Sequence, residues 1–532
     1  MSIQRKLLCG LALGGLVAGG MAQAAGLVTA GHAFHISGST ALDNQIKDAL
    51  LLGGAGVPSA QQTCQAGTIS VYTDAPFLGA GTGNITKAHQ TTVVCNLNNA
   101  IGSLTVGTTV AFTKESNGGS NEGTFYPAAQ QALAFFDATQ TPTGCSSVGA
   151  VAAGFYWPHQ QAIAAEFDGC TGTIVQAIPD VGVADEDPAL FTIGPQAISA
   201  ALIAKLTTTP LFQNQFTIAV SMPLYRALQS LEGLTVGDDT LANMPSLTKA
   251  QITAMYAGFI TSGNQIASPG GTALAANPIF LCRRGDNSGT NVSADVYFLR
   301  NRCTTHGSTQ MLQETVTSGS GVCTGLPAGQ TAENNGCVWN AANLTDTVFP
   351  GTATGDVVSC LDAHSRAGQY AFGHLGGTSK FDDPNGASGA GGEPGTAHFR
   401  LIAINGNKPT IEGMANGNYD YAFDNVENLW TGLSGTPLAV GNYLGTLFQN
   451  ATALTDILVA QPNAQSLAHV ADANFVGGGL QDGFVGTPSA VPASLATVKS
   501  NPVSQFTLAA SGTVDNCQLP LVSSSSVTKE VY

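Results

Sequence analysis

Between His35 and Leu52 the hydrophobic pattern changes period. A short strand-like run ends in a Gly-Ser-Thr turn, and from Ala41 to Leu52 the residues Leu42, Ile46, Ala49 and Leu50 share one helical face. The same order of run, glycine-rich turn and helix follows Glu115, where Thr124 to Phe136 carries Ala128, Ala132 and Phe135 on one side. A third apolar run, Asn277 to Cys282, leads through RRGDNSGT into the helix-like stretch Val292 to Leu299. Phe216 to Met222 and Phe399 to Ile404 read as strands, and Pro195 to Leu206 and Leu247 to Ile260 as helices. Repeated strand-loop-helix units predict α/β architecture with parallel-rich mixed sheets, whose ligands sit outside the carboxyl ends of the strands.

A chain of 532 residues exceeds what one ordinary core can organise, so two lobes are expected. The run FTIAVSM (216 to 222) is the natural crossing into a second lobe, and Tyr419 to Trp430 the return. This divides the chain into a first lobe over 25–213, a second over 214–419, and a returning segment with the C-terminal tail over 420–532. Gly-, Thr- and Ser-rich stretches at 57–107, 137–177, 303–360 and 376–397 read as surface insertions, since loops of that length are otherwise uncommon. The tail from Ser500 reads as poorly ordered beyond Cys517.

The first residues change the compartment. Arg5 and Lys6, an apolar stretch from Leu7 to Val17 and Ala22-Gln23-Ala24 spell a secretory signal cleaved after Ala24, so 1–24 is expected to be removed. Cys9 precedes most of the apolar stretch, which disfavours a lipid anchor. Of 11 cysteines, 10 then remain in an oxidising compartment, periplasmic or extracellular. Proximity along the chain suggests the pairs 64–95, 145–170, 282–303, 323–337 and 360–517, although spacing cannot fix connectivity. The formal charge of −16 becomes −18 once Arg5 and Lys6 are lost. Such a surface repels nucleic acid and anionic membrane, and no later run is long enough to span a bilayer.

Chemistry concentrates in four segments: GSTA (38–41), ESNGG (115–119), DVGVAD (180–185) and RRGDNSGT (283–290). The last places Ser, Gly and Thr at a helix N-terminus, where unpaired N–H groups and the helix dipole attract anions. An adjacent arginine adds a planar fork matched to two oxygens of a tetrahedral anion. Plainer roles exist for each: Asp185 as a turn residue in VADEDP, Arg284 as the ion-pair partner of Asp286, and Ser288 and Thr290 as helix caps. Ser116 could simply shape a turn. His32 and His35 lack a third metal ligand, and FDDPNG (381–386) lacks calcium-loop spacing. No GxxxxGK[ST], HExxH or GxSxG occurs, so catalysis is unsupported and no cofactor is implied; zinc is the weaker alternative to disulfides for the cysteines, since no CxxC pair appears.

In this order the four segments resemble the PstS-type phosphate-binding proteins of ABC transporters, in the class II periplasmic-binding superfamily. PLFQ (210–213), LTKAQITAMYAGFI (247–260), AINGNKPTIEGMANGNY (403–419) and above all RRGDNSGT, against the family's RRxDGSGT, carry the resemblance across separated blocks. It implies a two-lobed fold closing on inorganic phosphate, with an ABC permease as partner. Ligand contacts would come from Thr40, the Ala41 backbone, Ser116, Asp185, Arg284, Ser288, Gly289 and Thr290. Ser39 would support them, and Asp286 would orient or neutralise the arginine. An aromatic commonly stands where Ala41 does, Asn287 replaces a glycine, and the chain is longer than the family norm. A buried Asp185 could accept a hydrogen bond from protonated phosphate while repelling sulfate. A secreted phosphatase on the same scaffold, or an extracellular surface protein with a vestigial clamp, are the alternative functions.

Overall fold

The computed structural model describes residues 32–53, 59–74, 90–116, 118–139, 143–153, 160–194, 196–268, 270–303, 310–313, 336–376, 399–409, 413–414, 417–449, 484–486, 506–508, 514–517, 521–522 and 529–530. The expected signal peptide, Cys323 and FDDPNG lie outside them. Residues 32–231 supply strands β1 (Ala33–Gly38), β2 (Ser70–Thr73), β3 (Gln90–Asn96), β4 (Thr109–Glu115), β5 (Leu133–Phe136), β6 (Ser146–Val151), β7 (Ile163–Asp168), β8 (Ile174–Ala177), β9 (Val181–Ala184) and β10 (Leu206–Ser221). Between them run helices α1 (Asp43–Leu51), α2 (Glu122–Ala129) and α3 (Ala200–Ile203), with α4 (Met222–Leu231) after β10. The second half adds β11 (Ser246–Leu247), α5 (Lys249–Tyr256), β12 (Ile279–Arg284), α6 (Gly289–Ala294), β13 (Val348–Gly351), α7 (Thr354–Arg366), β14 (Tyr370–Gly376) and β15 (Phe399–Ile404). β16 (Ala422–Trp430) and α8 (Gly435–Gln449) follow.

β10 joins the two halves. Its residues from Leu206 to Gln215 pair with β16, which continues through β9, β1, β4, β3, β2 and β7 to β6; from Phe216 onward it pairs instead with β14 and β15. The partner exchange follows a register shift between Pro210 and Gln213, where proline cannot donate to the ladder. Parallel pairs surround two of the strands that end in candidate loops: β1 lies parallel to β4 and β9, and β12 parallel to β13 and β14. The expected α/β class with mixed sheets is the one observed.

The helical face read from Leu42, Ile46, Ala49 and Leu50 is buried against Phe34, Ile36 and Phe112 of the first core. A second core gathers Phe216, Tyr256, Phe298, Phe372 and Tyr421, and the stretch after α6 continues as a π-helical turn over Asp295–Leu299. Close backbone packing fixes the ends of β1, α2 and β9 relative to one another. A Cβ on Gly123 would lie 2.0 Å from the Val183 carbonyl oxygen, and one on Gly182 the same distance from the Gly123 carbonyl oxygen. Only glycine permits that approach.

Several expectations need correction. The stretch 57–107 is no surface insertion: β2 and β3 lie inside the sheet, because Thr91-Thr92-Val93-Val94-Cys95 hides apolar side chains among threonines. The described parts of 137–177 carry the exposed edge strand β6 with β7 and β8, and those of 303–360 carry β13 and the start of α7, so these stretches are not devoid of regular structure. The helix expected over Thr124 to Phe136 ends at Ala129, where Gln130 turns left-handed (φ 54°) and β5 begins. Pro195 to Leu206 contributes only the four-residue α3, as Leu206 already starts β10. The tail is also more structured than expected, since Phe506–Thr507, Leu521–Val522 and Lys529–Glu530 pair as a small sheet.

Disulfides 64–95 and 145–170 occur as expected, but Cys282 bonds Cys360 and Cys303 bonds Cys517. Helix α7 packs on β12 and brings Cys360 to Cys282 across 78 residues, whereas Cys303 emerges past the π-helical turn beside the tail. Cys337 is also disulfide-bonded.

Candidate functional site

The four segments sit at the carboxyl ends of β1, β4, β9 and β12. The first three belong to one half of the sheet and the fourth to the other. They meet directly. The Asn121 N–H donates to the Asn287 carbonyl at 3.4 Å, joining the β4–α2 loop to the β12–α6 loop. A Cβ on Gly289 would lie 2.4 Å from Ser120 Oγ and 2.6 Å from Asp185 Oδ2, and one on Gly119 would lie 3.9 Å from Arg284 Nη2. Glycine at 289 is what lets the two halves approach, whereas at 119 it serves the left-handed turn (φ 70°).

Asp185 lies at the centre and is buried, so it is not the surface turn residue its VADEDP context allows. Ser39 Oγ donates to its Oδ1, and its own N–H donates to Ser120 Oγ at 3.3 Å. Burial pushes its carboxyl upward; the Ser39 and Ser120 bonds and the charges of Arg284 and Lys114 pull it back. Its Oδ2 faces Gly289 of the partner half, where the carboxyl, whenever it is ionised, offers only acceptors.

Arg284 is buried at the end of β12, held by acceptors from the turn between β13 and α7. Nε donates to the Gly351 carbonyl at 3.3 Å, Nη2 to the Thr352 carbonyl at 2.6 Å and Nη1 to Thr354 Oγ1 at 3.2 Å. Guanidinium has five N–H donors, so these bonds leave one hydrogen on each terminal nitrogen. Burial pushes Arg284 down to about 10, opposed by Asp356 and Asp185, so it remains cationic at neutral pH.

Asp286 does not orient Arg284. Its Oδ1 accepts from Arg283 Nη1 at 3.2 Å and Asn291 Nδ2 at 3.3 Å, and lies 4.0 Å from Arg302. Arg283 points away from Arg284 on the pleated strand, so it takes the ion pair three residues on. Ser288 and Thr290 are buried at the start of α6, and Ser288 makes no side-chain cap bond. Thr40 and Ala41 form the turn after β1. Ser116 Oγ donates to Asp43 Oδ2 at 2.9 Å.

Sequence reasoning missed Ser120, Lys114 and Asp43. Lys114 Nζ donates to the Gly38 carbonyl at 2.8 Å and pairs with Asp43 Oδ1 at 3.0 Å, so a buried cation braces the GSTA turn from beneath. A lysine inside the apolar run VAFTKE was the available signal. His35 packs on Phe135 with ring centroids 4.7 Å apart and lies 3.6 Å from Asp180, an ordinary packed histidine.

No protein-family profile matches this sequence, and no curated protein matches it. Solved structures do resemble it. A Clostridium perfringens chain described as a phosphate ABC transporter substrate-binding protein, with phosphate bound, aligns at 11% identity and TM-score 0.36, covering 80% of this chain and 96% of that one. PstS from Borrelia burgdorferi aligns at 11% identity and TM-score 0.31, covering 80% and 95%. An ABC-type phosphate transport receptor from Vibrio cholerae aligns at 12% identity and TM-score 0.26, covering 51% and 74%.

Proposed function

We propose that this chain is a solute-binding protein that closes on inorganic phosphate between its two halves, and that it serves phosphate uptake outside the cytoplasm. The observation that carries the reading is the buried convergence of Asp185, from β9, with Arg284, from β12, across loops whose glycines allow contact. The two groups divide the recognition of a monoprotonated tetrahedral anion. The Arg284 guanidinium donates to unprotonated oxygens, with the Ser288 hydroxyl, the main-chain N–H groups of Gly289 and Thr290, and the Thr40-Ala41 turn completing the shell. Asp185 accepts from the remaining P–O–H, and Ser39 and Lys114 hold the first loop in place. The range 25–213 with the returning segment of 420–532 is then one working lobe and 214–419 the other, with β10 and β16 as the strands about which they move. Handing the anion to an ABC permease follows from the same reading.

Asp185 makes the selectivity testable. Sulfate at neutral pH carries no proton, so it would set an oxygen against the carboxylate without a hydrogen between them. Asp185→Asn is expected to weaken phosphate binding by roughly 10- to 100-fold, the worth of one charge-assisted bond, and to bring sulfate and phosphate affinities together. In the wild type, discrimination should be greatest above the raised pKa of Asp185 and decline as pH falls through it, when the carboxyl becomes a donor. Calorimetry that finds unchanged affinity and selectivity in the variant rejects this role.

A further inference from the structure

On the strand that leads into the RRGDNSGT loop, Cys282 of β12 forms a disulfide with Cys360 of α7 beside His364. Cys360 and His364 are one helical turn apart and share a face. The two sulfurs and a ring nitrogen of His364 lie within 4.8 Å of one another, and all three residues are buried. His364 Nδ1 is 2.8 Å from Gln369 Oε1, an oxygen that can only accept, so Nδ1 carries the proton and Nε2 the lone pair. That Nε2 is buried and has no hydrogen-bond partner, an arrangement that costs stability unless something occupies it. Stacking on Phe280, with centroids 4.4 Å apart, fixes the ring plane.

We propose that the reduced form of this chain holds a thiophilic divalent cation, zinc by preference, between Cys282, Cys360 and His364, so that disulfide and metal are alternative ties between β12 and α7. A dithiol or phosphine reductant supplies two electrons to break the Sγ–Sγ bond. The dithiol leaves as its disulfide, or the phosphine as its oxide after taking oxygen from water, and two protons end on the cysteines. Metal binding then forms two metal–sulfur bonds and releases both thiol protons to solvent. Two thiolates cancel the charge of the ion, so the assembled unit is neutral and can sit in an apolar core at small desolvation cost. Thiolate and imidazole donors suit tetrahedral zinc, whose ligand atoms stand roughly 3–4 Å apart. The Gln369 bond is the outer-shell contact that orients a metal-bound histidine.

The test is titration of the full mature chain with Co2+ as a spectroscopic probe, oxidised and after phosphine reduction, the latter refolded from denaturant so that the buried bond is certain to be open. The expected result is a thiolate-to-cobalt absorption band saturating at one equivalent in the reduced chain, displaced by Zn2+. It should be absent from the oxidised chain and from Cys282→Ser/Cys360→Ser, which retains the other cysteines as background. His364→Gln and, independently, Gln369→Leu should each weaken the site by at least about tenfold, with folding checked by near-ultraviolet circular dichroism. A reduced chain that shows no band, a band surviving in the double serine variant, or unchanged affinity in both His364→Gln and Gln369→Leu overturns the proposal.

Discussion

Replacing Arg284 with alanine is expected to lower phosphate affinity by about 10²- to 10⁴-fold. The side chain retains two hydrogens beyond those given to Gly351, Thr352 and Thr354. Each charge-assisted bond to an anion contributes roughly 1.5–3 kcal/mol net, and about 1.4 kcal/mol is a tenfold change in affinity. Arg284→Lys should recover only part of the loss, since an ammonium keeps the charge without the planar fork. Because the arginine also satisfies the β13–α7 turn, some destabilisation accompanies either change. Thr354→Val separates the effects: it removes one support and should leave most of the affinity. A folded Arg284→Ala protein with wild-type phosphate affinity would remove the arginine from the site.

The second large effect concerns stability. Glu427 lies on β16, in the strand shared between β9 and β10, and α8 closes over it so tightly that a Cβ on Gly445 would come within 2.6 Å of Oε2. Burial pushes its carboxyl from 4.5 up to about 8. The folded state therefore holds the proton more tightly than the unfolded chain does. The resulting stabilisation is complete below about pH 4.5 and is lost as pH rises through about 8, when charge must be placed in the interior. The loss across that window is on the order of 3–5 kcal/mol. Glu427→Gln stays neutral throughout. It should match the wild type in denaturant melts near the acid end of the window and exceed it by roughly that amount above pH 8. Other buried acids titrate in both proteins and cancel in the difference. A stability difference that does not change with pH would show that Glu427 is not protonated in the fold.

What the sequence disclosed, it disclosed where local chemistry is unambiguous. RRGDNSGT had to end a strand and begin a helix, because Gly-Asp-Asn breaks the apolar run and Ser288 precedes the next one; β12 and α6 lie there. The face formed by Leu42, Ile46, Ala49 and Leu50 was equally plain, as was β15. Strands β2 and β3 were hidden because threonine is at home both in loops and in half-buried sheets, and only the interleaved Val93, Val94 and Cys95 carried the signal. The Cys282–Cys360 bond was hidden for a different reason. It depends on α7 lying against β12, a contact between segments far apart in sequence. The orientation of Arg284 shares that origin, since its acceptors at 351–354 lie 67 to 70 residues away. Side chains whose partners are local can be read from neighbouring letters, whereas those positioned by packing require the fold.

In the proposed site Asp185 and Arg284 confront one anion and select it by its proton. Calorimetric titration of the purified chain, freed of carried-over anion by unfolding and refolding, with phosphate and then sulfate at neutral pH, decides it. Saturable binding of phosphate at a single site is expected, with sulfate weaker by at least about tenfold. Absence of saturable phosphate binding, or sulfate binding of equal strength, would contradict it.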